Sequence, residues 1–130
     1  MIFDTSFIID LMRNDEKAVA KMQELVKNRE PLLITAPTIL ELFSGLTRSN
    51  TPLLEKNKVM AVLKGQTILP FDNNAAEAAG EIDGMLVKEG AAVGPIDCMI
   101  AAIALGKKDK LLTRNIKDFR KIKGIIIETY

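Results

Sequence analysis

The chain contains no histidine. That removes imidazole acid–base catalysis and the zinc sites built on His and Cys together. A single cysteine, Cys98, excludes an internal disulfide and fits a reducing compartment. There is no Trp, and aromatics make up only 5% of residues, so base-stacking platforms of the single-strand-binding kind are not expected. No apolar run approaches the ~20 residues of a membrane span. Only three residues precede the first carboxylate, Asp4, which leaves no room for a leader, so the expectation is a cytoplasmic protein without a membrane anchor. Chemistry in this chain has to run on carboxylates, hydroxyls, amides, Lys and Arg.

What is present is apolar bulk and unevenly placed charge. The 130 residues fit one domain, 1–130, and the 48% hydrophobic content, mostly Ile, Leu, Val, Met and Ala, supplies its core. The net charge is +1, yet Lys107, Lys108, Lys110, Arg114, Lys117, Arg120, Lys121 and Lys123 crowd one segment against Asp109 and Asp118. This basic stretch reads either as a footprint for a phosphate backbone or as a solvated surface.

Short apolar runs alternate with helical patterns. Strands are expected at Met1–Phe3, Leu32–Thr35, Thr67–Pro70, Leu111–Thr113 and Ile125–Glu128. Between them the spacing predicts helices at Phe7–Met12 (capped by Thr5 or Ser6), Glu16–Asn28, Pro37–Thr47, Thr51–Lys64, Ala75–Lys88 and Pro95–Leu105, with Gly106 as the last one's stop, and a turn at Ile116–Phe119. Continuously apolar strands separated by helices predict an α/β fold with a short, mainly parallel central sheet flanked by helices.

Four acidic positions are placed rather than scattered. Asp4 ends the first strand, on the sheet edge where α/β proteins bind ligands, although an N-cap is the ordinary job for such an Asp. Glu41 lies in a helix whose apolar side is Ile39, Leu40, Leu42, Phe43 and Leu46; Thr38, Ser44, Gly45 and Arg48 share the other side with it. Asp97 falls in the first turn after Gly94-Pro95, with Ile96, Ile100 and Ile103 toward the core and Ala101 and Ala104 giving room beside it. Thr113, Asn115 and Asp118 follow the fourth strand. Each has a bland reading as a cap, a turn former or a surface acid. Converging carboxylates without histidine repel one another, and a hard dication held by oxygen, Mg²⁺ or Mn²⁺, relieves that.

At these residues the sequence resembles the PIN-domain ribonucleases, most of all the VapC-type toxins of prokaryotic toxin–antitoxin pairs. The matching pieces are Asp4-Thr-Ser6 with Ile9-Asp10, Ile39-Leu-Glu-Leu-Phe-Ser-Gly45, Gly94-Pro-Ile-Asp97 with Ile100-Ala-Ala102, and Leu112-Thr-Arg-Asn-Ile-Lys-Asp-Phe119. They follow the family's order and cover essentially the whole chain. The resemblance implies a PIN-like three-layer fold and Mg²⁺- or Mn²⁺-assisted hydrolysis of RNA phosphodiesters, leaving a 5′-phosphate and a 3′-OH. It implies Asp4, Glu41, Asp97 and Asp118 as catalytic acids, with Asp4 and Asp97 as metal ligands. Ser6, Thr113 and Asn115 would give support, and either Asn115 or Asp118 fills the fourth place. Arg48, Arg114 and Lys117 are candidates to guide the RNA backbone, while Asp10 is read as structural. The implied partners are a VapB-type antitoxin and a second copy of the chain, with the helices at Glu16–Asn28 and Pro52–Lys64 as a docking surface. Rival readings are an inactive RNA- or protein-binding module on the same fold, and an aspartyl phosphotransfer domain, which would commonly show a second Asp where Ser6 stands.

Overall fold

A computed structural model describes residues 1–130. The elements run β1 (Ile2–Phe3), α1 (Thr5–Met12), α2 (Glu16–Lys27), β2 (Leu33–Thr35), α3 (Ala36–Thr47), α4 (Pro52–Leu63), β3 (Thr67–Leu69), α5 (Asn73–Lys88), α6 (Pro95–Lys107), β4 (Leu111–Leu112), α7 (Ile116–Phe119) and β5 (Ile127–Glu128). The five strands form one sheet in the order β3-β2-β1-β4-β5, and every pairing is parallel.

Alternation along each strand sends neighbouring side chains to opposite faces. Ile2 and Leu111 join Ile100–Ala104 of α6, Ala75, Ala79 and Leu86 of α5, and Phe119 in one core cluster. Phe3 and Leu112 join Phe7, Ile8, Ala18, Leu25, Ile34, Leu42 and Val59 in the other. Helices α5, α6 and α7 therefore cover one face, and α1 to α4 cover the other. Strands buried on both sides read as unbroken apolar runs because they have no solvent face.

The chain builds β1, β2 and β3 outward in one direction, then returns to add β4 and β5 on the other side of β1. The order reverses between β1 and β4, and at such a switch the loops leaving the two carboxyl ends diverge and open a crevice. Asp4 leaves β1 on one side of it and Thr113 leaves β4 on the other; the Asp4 amide donates to the Leu112 carbonyl at 3.0 Å.

Several boundaries differ from expectation. Helix α1 begins at Thr5 and its cap is Asp4, not Thr5 or Ser6. Helix α5 begins at Asn73 because the Asp72 carboxylate accepts from the Ala75 amide, a cap two residues ahead of the apolar pattern. Gly106 does not stop α6, which runs to Lys107 and ends on Lys108 in the left-handed region at φ 54°. Pro70, Thr113, Ile125 and Ile126 fall outside the strands expected to hold them. Helix α3 is not split as the periodicity implies. Thr38 is fully buried, its hydroxyl 3.0 Å from that of the cap residue Thr35, whereas Leu40 is 55% exposed. This helix packs against β2, α1, α4 and α6, so it has no single inward face.

Candidate active site

Asp4 is 4% exposed, held between the end of β1 and the first turn of α1. Its Oδ2 accepts hydrogen bonds from Ser6 Oγ at 2.7 Å, Thr113 Oγ1 at 2.7 Å and the Ser6 amide at 3.4 Å. All three donors fall on the same oxygen. No buried side-chain oxygen lacks a partner, so Oδ1, which takes none of these bonds, keeps contact with solvent.

Glu41 follows the same pattern. It reaches the crevice from the second turn of α3, and its Oε1 accepts from the Thr5 hydroxyl. Asp97, in the first turn of α6, accepts from Asn115 Nδ2 on Oδ2 at 3.3 Å. The same amide donates to Asp118 Oδ2 at 3.2 Å, so Asn115 bridges two acids. Asp118 differs from the other three, because its second oxygen lies 3.6 Å from Lys121 Nζ. Asp4, Glu41 and Asp97 each keep one carboxylate oxygen unengaged, and Asp118 keeps none.

The electrostatics bind the four acids into one unit. Burial pushes the Asp97 carboxyl up to about 7, and the charges of Asp4, Glu41 and Asp118 push in the same direction. Burial also raises the Glu41 pKa; the Thr5 hydroxyl bond opposes that rise, and the Asp4 charge adds to it. Acids whose charges raise their neighbours' pKa values at a sheet edge form a candidate functional centre.

Each residue singled out in the sequence has a definite place. Ser6 and Thr113 hold Asp4, their hydroxyls 3.3 Å apart. Asn115 ties Asp97 to Asp118, and its own amide donates to Thr113 Oγ1 at 2.9 Å. Arg48 is exposed and lines, with Glu41 and Ser44, a groove of about 590 Å³ between α1, α3 and α4. Lys117 is exposed on α7, and all eight basic residues of the 107–123 segment are solvent-facing. Arg114 is tethered: its Nη1 donates to both oxygens of Asp10, at 2.8 and 2.7 Å. One expectation fails around the acids: Ala101 and Ala104 are buried in the core and give no room beside Asp97. Ile96 packs partly buried against the core as expected, and also lines the groove. Sequence reasoning took Thr5 only as a candidate cap and missed its bond to Glu41, and it passed over Tyr130, whose hydroxyl donates to Asp10 across 120 residues.

The donor set is oxygen alone. No three His, Cys, Asp or Glu side chains are drawn closely enough to hold a metal ion as they stand. The chemistry of the set nevertheless fits a hard dication, because three carboxylates near enough for their charges to repel each leave one oxygen without a hydrogen bond.

A parallel five-stranded sheet with acids at its switch point defines a nuclease-like α/β domain, and the PIN-domain model matches residues 1–125: the chain belongs to the PIN-domain family. Within that family it belongs with the VapC ribonucleases. It is 32% identical to the tRNA(fMet)-specific endonuclease VapC of Salmonella typhimurium, over 99% of this chain and 96% of that one. It is 24% identical to ribonuclease VapC2 of Rickettsia felis, again over 99% of this chain and 96% of that one. Among solved structures, VapBC2 of Rickettsia felis bound to a promoter DNA fragment superposes with a TM-score of 0.89 at 25% identity, covering 100% of this chain and 99% of that one. DNA-bound VapBC of Salmonella typhimurium gives a TM-score of 0.87 at 30% identity, covering 98% and 96%.

Proposed function

We propose that this chain is a divalent-metal-dependent endoribonuclease, the toxin of a VapBC-type pair, acting in the cytoplasm with Mg²⁺ or Mn²⁺. The observation that carries the reading is the unengaged oxygen on each of Asp4, Glu41 and Asp97 in one crevice. Those three residues would hold the ion, and Asp118, already paired with Lys121, stands outside it. A bound dication supplies acidified water and neutralises charge developing on the scissile phosphate.

The chain's own part is to aim the acids and to offset part of the burial and repulsion that raise their pKa values. Ser6 and Thr113 fix the Asp4 carboxylate with two hydroxyl bonds, so its open oxygen has one direction. Thr5 favours the charged form of Glu41. Asn115 donates to Asp97 and Asp118 together, which lessens their repulsion without neutralising either. Arg48, Arg114 and Lys117 bring positive charge to the rim and draw the RNA backbone toward an anionic centre. With few aromatics nearby, the target is selected by RNA shape more than by base stacking.

The antitoxin reading extends to a surface. The groove beside Glu41 combines apolar Ile9, Leu40 and Val59 with Arg13, Arg48 and Lys58. Leu53 and Met60 of α4 stand 79% and 51% exposed beyond it. An apolar segment ending in acidic residues, from a VapB-type partner, fits that surface, and a second copy of the chain completes the assembly.

Incubation of the purified chain with unfractionated tRNA and Mn²⁺ or Mg²⁺, followed by end-mapping, tests the activity. Discrete cuts leaving 5′-phosphates, lost in Asp97→Asn and with chelator, are expected. Cutting that persists undiminished in Asp97→Asn would overturn the assignment of the site.

A further inference from the structure

A second ionic centre lies further along α1, six positions after Asp4. Asp10 is buried on α1, its side chain 5% exposed, and both its oxygens are taken by one nitrogen of Arg114, whose side chain is 61% exposed. An arginine usually meets a carboxylate with two nitrogens side by side. Here the grip is through Nη1 alone, and Nη2 and Nε make no bond to the protein. Three further contacts brace Asp10, Tyr130 and the Arg114 backbone around that pair. The Tyr130 hydroxyl donates to Asp10 Oδ2 at 2.7 Å. The Tyr130 ring meets Phe7 edge-on with centroids 4.9 Å apart. The Arg114 amide donates at 3.1 Å to Ser6 Oγ, the hydroxyl that holds Asp4. Burial, and then the bond to Asp10, raise the Tyr130 pKa well above its ordinary value, so the phenol remains a donor. Removing the flexibility of an arginine before a ligand arrives is the general gain of preorganisation.

We propose that Asp10 and Tyr130 are positioning residues that hold the Arg114 guanidinium, by one nitrogen, as a fixed contact for a backbone phosphate of the RNA beside Asp4. This rests on the ribonuclease reading above. Arg114 offers its two unengaged nitrogens on the exposed side, a fork suited to phosphate oxygens. Its backbone amide is anchored to Ser6, the residue that also holds Asp4, which keeps the arginine close to the acids. Asp10 is an anion near a polyanion, and on charge alone its removal should strengthen RNA binding. The proposal requires the opposite sign.

The test compares Arg114→Ala, Asp10→Asn, Tyr130→Phe and the Asp10→Asn/Arg114→Ala double variant, each checked for cooperative melting. Cleavage of tRNA in Mn²⁺ gives kcat and KM. Binding of labelled tRNA, read by anisotropy across a salt series in an Asp97→Asn background, gives affinity without turnover. Arg114→Ala is expected to raise KM about tenfold with kcat within about threefold, the scale of one charge-assisted hydrogen bond. Asp10→Asn should weaken binding severalfold despite losing a negative charge, and Tyr130→Phe about threefold. The double variant should be no worse than Arg114→Ala alone. The slope of log affinity against log salt should fall by about 0.7 in Arg114→Ala, one phosphate contact on a single strand, and by less in Asp10→Asn and Tyr130→Phe, which keep the arginine. Tighter or unchanged binding in Asp10→Asn overturns the proposal, as do additive losses or a lower melting temperature with KM unmoved. Absence of cleavage by the wild-type chain would sink the ribonuclease reading instead, while the binding series still decides the role of Asp10.

Discussion

Asp4 and Asp10 are both 4% exposed, both sit at α1, and only six positions separate them, yet their surroundings are opposite. Asp10 has a guanidinium on both oxygens and a phenol on one. Asp4 has neutral hydroxyls on one oxygen and no cation, and its charge raises the pKa values of Glu41 and Asp97. A buried carboxylate loses hydration, and the loss has to be offset by pairing. At Asp10 the fold supplies the counter-charge itself. At Asp4 it supplies neutral donors and no counter-charge, the role the proposed dication would fill. Burial alone does not distinguish the two acids; the identity of their donors does.

The largest effect expected from this contrast is on turnover. Asp4→Asn keeps the volume and the hydroxyl contacts but removes an open anionic oxygen, and kcat should fall by at least about 10²-fold with the fold retained. Asp10→Asn should leave kcat within about threefold. Steady-state cleavage assays on the two variants check this directly. Equal losses at both positions would break the distinction between the two acids.

Stability should move the other way. Asp10→Ala strands the Tyr130 hydroxyl and should cost about 1–3 kcal/mol in denaturant unfolding. Asp97 carries the reverse sign. Its carboxyl is raised to about 7 by burial and by Asp4, Glu41 and Asp118. In the unfolded chain an Asp titrates near 3.9. The folded state therefore holds this proton more tightly than the unfolded one, and the associated stability is complete below about pH 4. It drains away as pH rises and is lost above about 7. With chelator present, the melting temperature of the wild-type chain should fall across that window relative to Asp97→Asn, which lacks the titration. Mn²⁺ at pH above 7 should restore the wild type and leave Asp97→Asn unmoved. Parallel pH profiles for the two proteins would contradict the electrostatic account.

Strand runs, helix order and the parallel sheet were legible because each follows from local periodicity, and the apolar runs of Ile2–Phe3 and Leu111–Leu112 have no solvent face to interrupt them. The placing of Asp4 and Thr113 at one crevice was legible from the rule that strand carboxyl ends carry ligands. Three other features were hidden. Thr38 and Leu40 exchanged roles because α3 meets neighbours on several sides, and a periodicity argument assumes one. Gly106 failed as a stop because the next turn could close on Lys108 in the left-handed region, which a non-glycine residue reaches at modest cost. The Asp10–Tyr130 bond joins residues 120 positions apart, and no spacing encodes such a pair.

The smallest expected effect concerns how the chain keeps the third acid charged. Burial raises the Glu41 pKa, the Thr5 hydroxyl on Oε1 opposes the rise, and the Asp4 charge adds to it. Thr5→Val preserves shape and removes only the hydroxyl, and the cap on α1 stays with Asp4, so the fold should be intact. Without the hydroxyl the ionised form of Glu41 loses its one favourable partner, and its pKa must rise further. If cleavage needs Glu41 ionised, the acid limb of the pH–rate profile should move to higher pH, with the plateau rate nearly unchanged. Thr5→Ser, which restores a donor, should return the limb toward its original position. A limb that stays put in Thr5→Val would mean that Glu41 does not set it, and Asp97, already raised to about 7, would then be the group that does.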